Sequence, residues 1–309
     1  MEQAETRKTK AALLPMALAL LLCLAAFPAR AERALTDQAG RTIRVPDRPA
    51  RVVSLAPSIT EIVFALGRGA SLKGATQFSD YPEEAGALPK VGSYVRLDLE
   101  KIIALSPDLC IAVKDGTPIQ TVRRLEAMGI PVYAVTPMDL VTVMGAITHL
   151  GEVLNAPGAA RDLTEGMKAR VSRVERLAAR AGTRPTVFLQ IGISPIVSVG
   201  RDTHIHDLIR RAGGRNVAEG QTAYPRYAME EVLALAPEVL IITSMARTEE
   251  FQRVKERWQG WPGLPAAKSG RIHLVNSDFL DRPSPRMVRG LELLLELIHP
   301  ELAKELGDA

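Results

Sequence analysis

Short apolar runs alternate along this chain with stretches in which apolar residues recur every three or four positions. Apolar runs bounded by turn-forming residues mark buried strands, and the three-to-four spacing marks helices lying on a core. RVVSL (51–55), LKGAT (72–76), DLCIAV (108–113) and IPVYAV (130–135) predict strands. SITEIVFALG (58–67), LEKIIAL (99–105), PIQTVRRLEAMG (118–129) and DLVTVMGAITHLGEVLN (139–155) predict helices. In the first helix Ser58 suits the cap, with Glu61 three residues on and Gly67 as the stop. Ahead of these elements, 34–57 reads as a hairpin turned at DQAG that leads into the first core strand.

The segment 156–182 differs. Leu163, Met167, Val171, Val174 and Leu177 form one narrow apolar stripe, and the remaining faces are charged. Pro157 suits its first turn and Gly182 its end. Such a helix runs roughly 35–40 Å, enough to cross from one lobe to another. The alternation then restarts, with strands at TVFLQIG (186–192), EVLIIT (238–243) and RIHLVN (271–276). Helices are expected in HIHDLIRRAGG (204–214), MEEVLAL (229–235), TEEFQRVKERWQGWPGL (248–264) and the closing region 286–306. Strands alternating with helices call for parallel sheets covered on both faces. The expected fold class is α/β: two lobes, 32–155 and 183–309, each a mainly parallel sheet with flanking helices, joined by one long helix at 156–182.

Composition narrows the picture. Of 309 residues, 47% are hydrophobic, which excludes a disordered chain. The formal net charge is +4, and Arg7, Lys8, Lys10 and Arg30 against Glu2 and Glu5 supply +2 of it within residues 1–31. The balance left is no footprint for nucleic acid. Residues 1–31 read as a cleavable signal peptide: a basic start, the apolar run 11–27, and ARA at 29–31. An uncleaved membrane anchor is the competing reading, and it needs a longer apolar run. Cys23 follows Leu22 rather than a small residue, which argues against lipidation. Cys110 then remains as a single thiol in a strand-like run, where it packs as a small hydrophobe.

Two stretches repeat. LEKIIALSPDLCI (99–111) and MEEVLALAPEVLI (229–241) share Glu, Ala, Leu, Pro and Ile at matching places. Each reads as a short helix, a Pro that ends it, and a buried strand. Glu100 and Glu230 fall in the first turns, where the simplest role is to complement the helix dipole, and Asp98 is a plausible N-cap.

Loops after the strands carry the candidate chemistry. Aromatic residues make up only 4% of the chain, yet Phe78, Tyr81, Tyr94, Tyr224, Tyr227 and Phe279 fall in loops. With Asp278, Asp281, Arg282 and Arg286 nearby in NSDFLDRPSPR, they suit a large, flat, partly apolar ligand. Catalytic motifs are absent: no G-x-S-x-G elbow, Walker loop or dinucleotide fingerprint occurs. An exported acid–base enzyme is the alternative class, but no spacing pairs a nucleophile with a base. His204 and His206, two apart on a helix, point to different faces and read as a capping turn or surface pair rather than a metal site.

The chain resembles the substrate-binding proteins of ABC importers, in the type with a rigid interdomain helix that binds cobalamin, siderophores or haem. RVVSLAPSITEIVFALG, FSDYPEEAGALPKVGSYVRLDLEKIIALSPDL, VFLQIGISPIVSVGRDTHIHDLIRRAGGRNV and SDFLDRPSPR carry the likeness in order, over nearly all of the chain after its signal. It is nearest to the cobalamin-binding branch. The resemblance implies a non-enzymatic, monomeric periplasmic receptor whose cargo is cobalamin or a related corrinoid, with no resident cofactor or metal. It implies ligand contacts at Phe78, Tyr94 and Tyr224, two of them Trp in the best-known family pattern. It adds Asp278 and Arg282 toward the ligand's amides, Phe279 beside them, and Pro57 and Ser58 in the loop that reaches the ligand. Glu100 and Glu230 match acids that dock on the permease. Haem or an iron siderophore is the alternative cargo: haem-binding relatives place a Tyr ligand shortly after VG, and here VGSY sets Tyr94 one residue later. Arg96, Arg226 and Arg282 keep the siderophore open. A helical connector also implies small lobe movement on binding.

Overall fold

The computed structural model describes residues 31–114, 116–244 and 249–306, so the expected export signal lies outside them save for its last residue. The chain opens on an antiparallel hairpin, β1 (Glu32–Thr36) and β2 (Thr42–Pro46). Asp37 holds the turn, accepting from the backbone N–H groups of Ala39 and Arg41 and from the Arg41 guanidinium. The first lobe then runs β3 (Val52–Ser54), α1 (Pro57–Ala65), β4 (Leu72–Gly74), α2 (Leu99–Ala104), β5 (Leu109–Val113), α3 (Ile119–Ala127), β6 (Val132–Val135) and α4 (Leu140–Val153). Its sheet has the order β4-β3-β5-β6, parallel throughout.

The connector α5 (Pro157–Ala178) has 22 residues and spans about 33 Å. It ends where its apolar stripe runs out at Leu177, before the expected stop at Gly182. The second lobe holds β7 (Thr186–Gly192), β8 (Ile196–Ser198), α6 (His204–Arg211), β9 (Arg215–Asn216), β10 (Arg226–Tyr227), α7 (Met229–Leu235), β11 (Val239–Ser244), α8 (Glu249–Gln259), α9 (Pro265–Lys268), β12 (Ile272–Asn276) and α10 (Met287–Ile298). Strands β7, β11 and β12 are parallel, and β9 pairs in parallel beside the start of β7. Through β8 and β10 the edge turns antiparallel. Sequence patterning predicts none of β8, β9 and β10. At two or three residues they are too short to show alternation; β8 and β9 form on the edge that β7 offers, and β10 adds on to β8.

Both sheets are buried on both faces. In the first, Leu109 and Ile111 meet Ile59, Ile62 and Ile147, while Cys110 and Ala112 meet Ile102, Val122 and Leu125 on the other side. In the second, Leu189 and Ile241 face Leu208 and Leu291, while Phe188, Leu240 and Ile242 face Val232, Val254 and Trp258. The two inner layers form one core, continuous through Met167, Val171, Val174 and Leu177 of α5. At Gly151 a Cβ would come within 2.4 Å of the Ala160 Cβ, so α4 and α5 pack too closely for any side chain there. The lobes are therefore joined by packed core, which resists hinge bending more than a bare linker does.

Two local expectations need correction. Ser58 does not cap α1: Ala56 is extended, Pro57 takes the first turn, where its missing N–H costs nothing, and Ser58 is buried inside the helix. Glu61 does not reach back to the helix start either, but points into the other lobe. His204 and His206 do lie in a capping turn, where the Thr203 hydroxyl accepts from the His206 N–H (3.2 Å), but they are not a surface pair. The His204 Nε2 lies 2.7 Å from the Leu280 carbonyl, and the His206 Nδ1 lies 3.3 Å from the Asn216 amide.

The repeated sequence is one device used in each lobe. Ser106 and Ala236, the residues before Pro107 and Pro237, both adopt φ 45°. Left-handed backbone costs a non-glycine residue roughly 1–2 kcal/mol, and here it turns helix into strand in one step. The acid after each Pro clamps a neighbouring strand. Asp108 accepts from the backbone N–H groups of Ala50 (3.0 Å) and Arg51 (2.9 Å), just ahead of β3. Glu238 accepts from the backbone N–H (2.7 Å) and hydroxyl (3.0 Å) of Thr186 at the start of β7.

Cys110 is fully buried, as its apolar run predicts. Burial, with a contribution from Asp108, pushes its thiol up to about 12. At pH 8 about one thiol in ten thousand is ionised. A disulfide reagent at pH 8 is expected to leave the folded protein, made as residues 32–309, unlabelled and to label it fully in denaturant. Rapid labelling without denaturant contradicts the core assignment.

Candidate functional site

Parallel strands place their C-terminal ends, and the loops that follow, on one edge of a sheet. Here the two edges face each other across a cleft of about 500 Å³. Ala56, Pro57 and Ser58 come from the β3–α1 junction, Phe78 and Tyr94 from the long loop between β4 and α2, and Val113 from the end of β5. Thr136 and Met138 follow β6. The opposite wall holds Ile191 at the end of β7, the start of α6, and Tyr224. Asp281, Arg282 and Pro283, which follow β12, complete that wall.

Phe78, Tyr94 and Tyr224 are 41%, 42% and 57% exposed, so they are not core filler but rings presented to the cleft. Tyr94 lies on one lobe and Tyr224 on the other. Burial raises the Tyr224 phenol above its ordinary range, with Tyr94 and Asp281 adding to the shift. A second concavity, of about 520 Å³, lies against the first lobe between Asp47 and Asn155. It is lined by no aromatic ring, and its Arg68 donates to the Asn155 carbonyl.

Beneath the cleft the lobes are tied by charge. Glu61, on α1, has a side chain only 2% exposed. It accepts two hydrogen bonds from Arg286 (2.8 and 2.5 Å), one from the Ser284 hydroxyl (2.6 Å) and one from Arg282 (3.3 Å). All three partners sit on the segment between β12 and α10, in the second lobe. Arg282 also donates to Asp80 of the first lobe (2.7 Å) and pairs with Asp278 (3.2 Å). Burial by itself raises the Asp80 carboxyl, but the hydrogen bond and charge of Arg282 outweigh it and hold that carboxyl below the usual range. The Arg286 guanidinium lies over the Tyr81 ring at 3.9 Å. The segment is also pinned from behind, because at Gly290 a Cβ would come within 2.2 Å of the Phe279 carbonyl oxygen.

The structure brings Pro57, Ser58, Phe78, Tyr94, Tyr224 and Arg282 to one cleft. Asp278 and Phe279 lie beside it rather than in its lining. Asp278 braces Arg282 and Arg286, and the Phe279 ring stands 5.8 Å from the Arg286 guanidinium carbon. Tyr227, another loop aromatic by sequence, packs edge-on against Phe188 at 5.4 Å and serves the core. Sequence patterning misses Glu61, whose three-residue spacing from Ser58 imitates a capping box, and Thr136, which no motif marks. Glu100 and Glu230 lie outside the cleft, exposed on α2 and α7, and make no ion pair among the described residues. Asp98 caps α2 as expected, accepting from the Lys101 N–H. No cluster of three or more potential metal ligands occurs among the described residues.

A family model described as "Periplasmic binding protein" matches residues 52–278. The chain belongs to the periplasmic binding protein family. This binding protein is 35% identical over 250 residues to the "Vitamin B12-binding protein" of Vibrio parahaemolyticus serotype O3:K6, which covers 78% of this chain and 86% of that one. Among solved structures it is similar to the periplasmic vitamin B12 binding protein BtuF of Vibrio cholerae, with a TM-score of 0.73 at 26% identity, covering 85% and 100% of the two chains. It is also similar to the periplasmic heme-binding protein RhuT from Roseiflexus sp. RS-1, in apo form, with a TM-score of 0.72 at 29% identity, covering 82% and 98%. The α/β binding protein fold, two lobes on a helical connector, is thus the fold of its relatives. Among its described residues no helix is long and apolar enough to cross a membrane.

Proposed function

We propose that this periplasmic binding protein captures cobalamin, or a related corrinoid, between its lobes and hands it to the permease of an ABC importer. The observation that carries the reading is the cleft itself. Rings from both lobes, Phe78 and Tyr94 against Tyr224, offer faces to a flat macrocycle, and a braced Arg282 offers a fixed polar edge. A macrocycle with an apolar face and a hydrogen-bonding rim matches both features. Its action is capture and delivery without chemistry, as a monomer in the periplasm, released there by its signal peptide. Cobalamin is cargo in this scheme, not a cofactor. Glu100 and Glu230, one exposed acid on each lobe, are the permease-docking pair. Charges set apart on two lobes fix orientation and speed encounter more than they add affinity.

The direct test is titration of residues 32–309 with cyanocobalamin and, separately, with haemin. Cyanocobalamin is expected to bind at micromolar concentration or below and more tightly than haemin. Tyr94→Ala and Tyr224→Ala are each expected to weaken it about 10- to 30-fold, the scale of an aromatic hot spot. Tight haemin binding with no corrinoid binding overturns the ligand assignment.

A further inference from the structure

Two buried oxygens in the cleft lining find no hydrogen-bond partner among the described residues: the Thr136 hydroxyl of the first lobe and the Asp281 Oδ1 of the second. Buried polar atoms are normally paired, and an unpaired one bears the cost of its lost hydration. Two such atoms on facing walls of one cleft mark places where a ligand supplies the missing partner. The surrounding charge limits what that ligand group is. Arg282 is already engaged by Glu61, Asp80 and Asp278, and Arg286 by Glu61 and Asp278. Two arginines thus face three carboxylates before Asp281 is counted, and neither arginine is free to receive a further anion.

We propose that Asp281 and Thr136 form a polar pair across the cleft that accepts uncharged amide groups on the ligand's rim and turns carboxylates away. This rests on the corrinoid reading and sharpens it: the amide-bearing form is selected over forms carrying free acids. An amide suits Asp281 in either protonation state, donating N–H to the carboxylate or accepting from the acid. A carboxylate suits only the protonated acid.

Burial pushes the Asp281 carboxyl up to about 7. The Thr243 hydroxyl and Arg282 oppose the rise, and Asp278 adds to it. Tyr224 interacts with it as well, and the remaining titratable groups of the cleft lining are Tyr94, Asp202 and His204. Burial holds His204 below its ordinary range, hence neutral near pH 7, so it supplies no compensating charge. Selection against carboxylates therefore strengthens as pH rises through 7, where Asp281 loses its proton.

The experiment compares cyanocobalamin with its monocarboxylic acid, in which one peripheral amide is hydrolysed, at pH 6 and pH 8. If the acid binds only protonated Asp281, its affinity falls about tenfold between those values, while cyanocobalamin changes less than about twofold. Asp281→Asn is expected to flatten that pH dependence and to bind the acid more tightly than the parent protein at pH 8. Thr136→Val is expected to weaken cyanocobalamin about fivefold and to leave the pH dependence of the acid in place. Cyanocobalamin binding with no pH-dependent discrimination, or discrimination that survives Asp281→Asn, overturns this inference alone. Failure of both ligands to bind overturns the corrinoid reading and this inference with it.

Discussion

Replacing Glu61 by Ala is expected to destabilise the protein by roughly 3–5 kcal/mol, the cost of breaking a buried ion pair from one side. The Glu61 side chain is 2% exposed and those of Arg282 and Arg286 are 14% exposed, so solvent cannot replace what is removed. Ala leaves the two guanidinium groups of the second lobe buried at the lobe junction without the first-lobe carboxylate that binds them both. It also orphans the Ser284 hydroxyl, which donates to Glu61 at 2.6 Å. Asp80→Asn is the control: Asp80 meets the same Arg282, but its side chain is 63% exposed, so its loss costs about 1 kcal/mol or less. Urea unfolding of both variants at unchanged m-value measures the difference. A Glu61→Ala penalty as small as that of Asp80→Asn means the network contributes nothing beyond a surface pair. Arg282 both joins this network and lines the cleft, so Glu61→Ala is also expected to weaken ligand binding from beneath.

Double charge reversal, Glu100→Arg with Glu230→Arg, is expected to bring uptake close to the level seen without the protein and to leave ligand affinity within about twofold of the parent. Both acids are exposed and neither lines the cleft, so neither fold nor ligand is touched. Glu100 sits behind the Asp98 cap of α2, and in α7 the capping contact comes from Glu231, which accepts from the Ala228 N–H at 2.6 Å. The helix starts therefore keep their own caps when the neighbouring acids are reversed. The check is labelled cobalamin uptake in cells lacking their own binding protein, beside a binding isotherm of the purified variant. Full uptake by the double variant reduces the repeat to architecture.

Elements with strong internal pattern are legible in the amino-acid order itself. Thr186–Gly192 and Met229–Leu235 match the sequence reading residue for residue, because each carries its own apolar run or capped turn. Of the loop aromatics, Phe78, Tyr94 and Tyr224 line the cleft, while Tyr81, Tyr227 and Phe279 have packing partners that spacing along the chain does not reveal. Asp278 and Phe279 stand one layer away from the place that the sequence suggests. They support Arg282 and Arg286 beside the cleft, a distinction that spacing along NSDFLDRPSPR does not carry.

Local chemistry in the sequence determined the alternation of strands and helices, the connector, the two Pro-ended repeats and the inventory of loop aromatics. Each follows from forces acting within a few residues: periodic burial, capping and the backbone limits of proline. Tertiary structure alone decided that Glu61 leaves its own helix for arginines more than two hundred positions away, and that Thr136 and Asp281 line one cleft from different lobes. The short strands β8 and β9 likewise exist only because β7 presents an edge, and β10 only because β8 then extends it. Those partners are chosen by desolvation and charge at the junction of two lobes, and one-dimensional order holds no record of which buried acid will face which base.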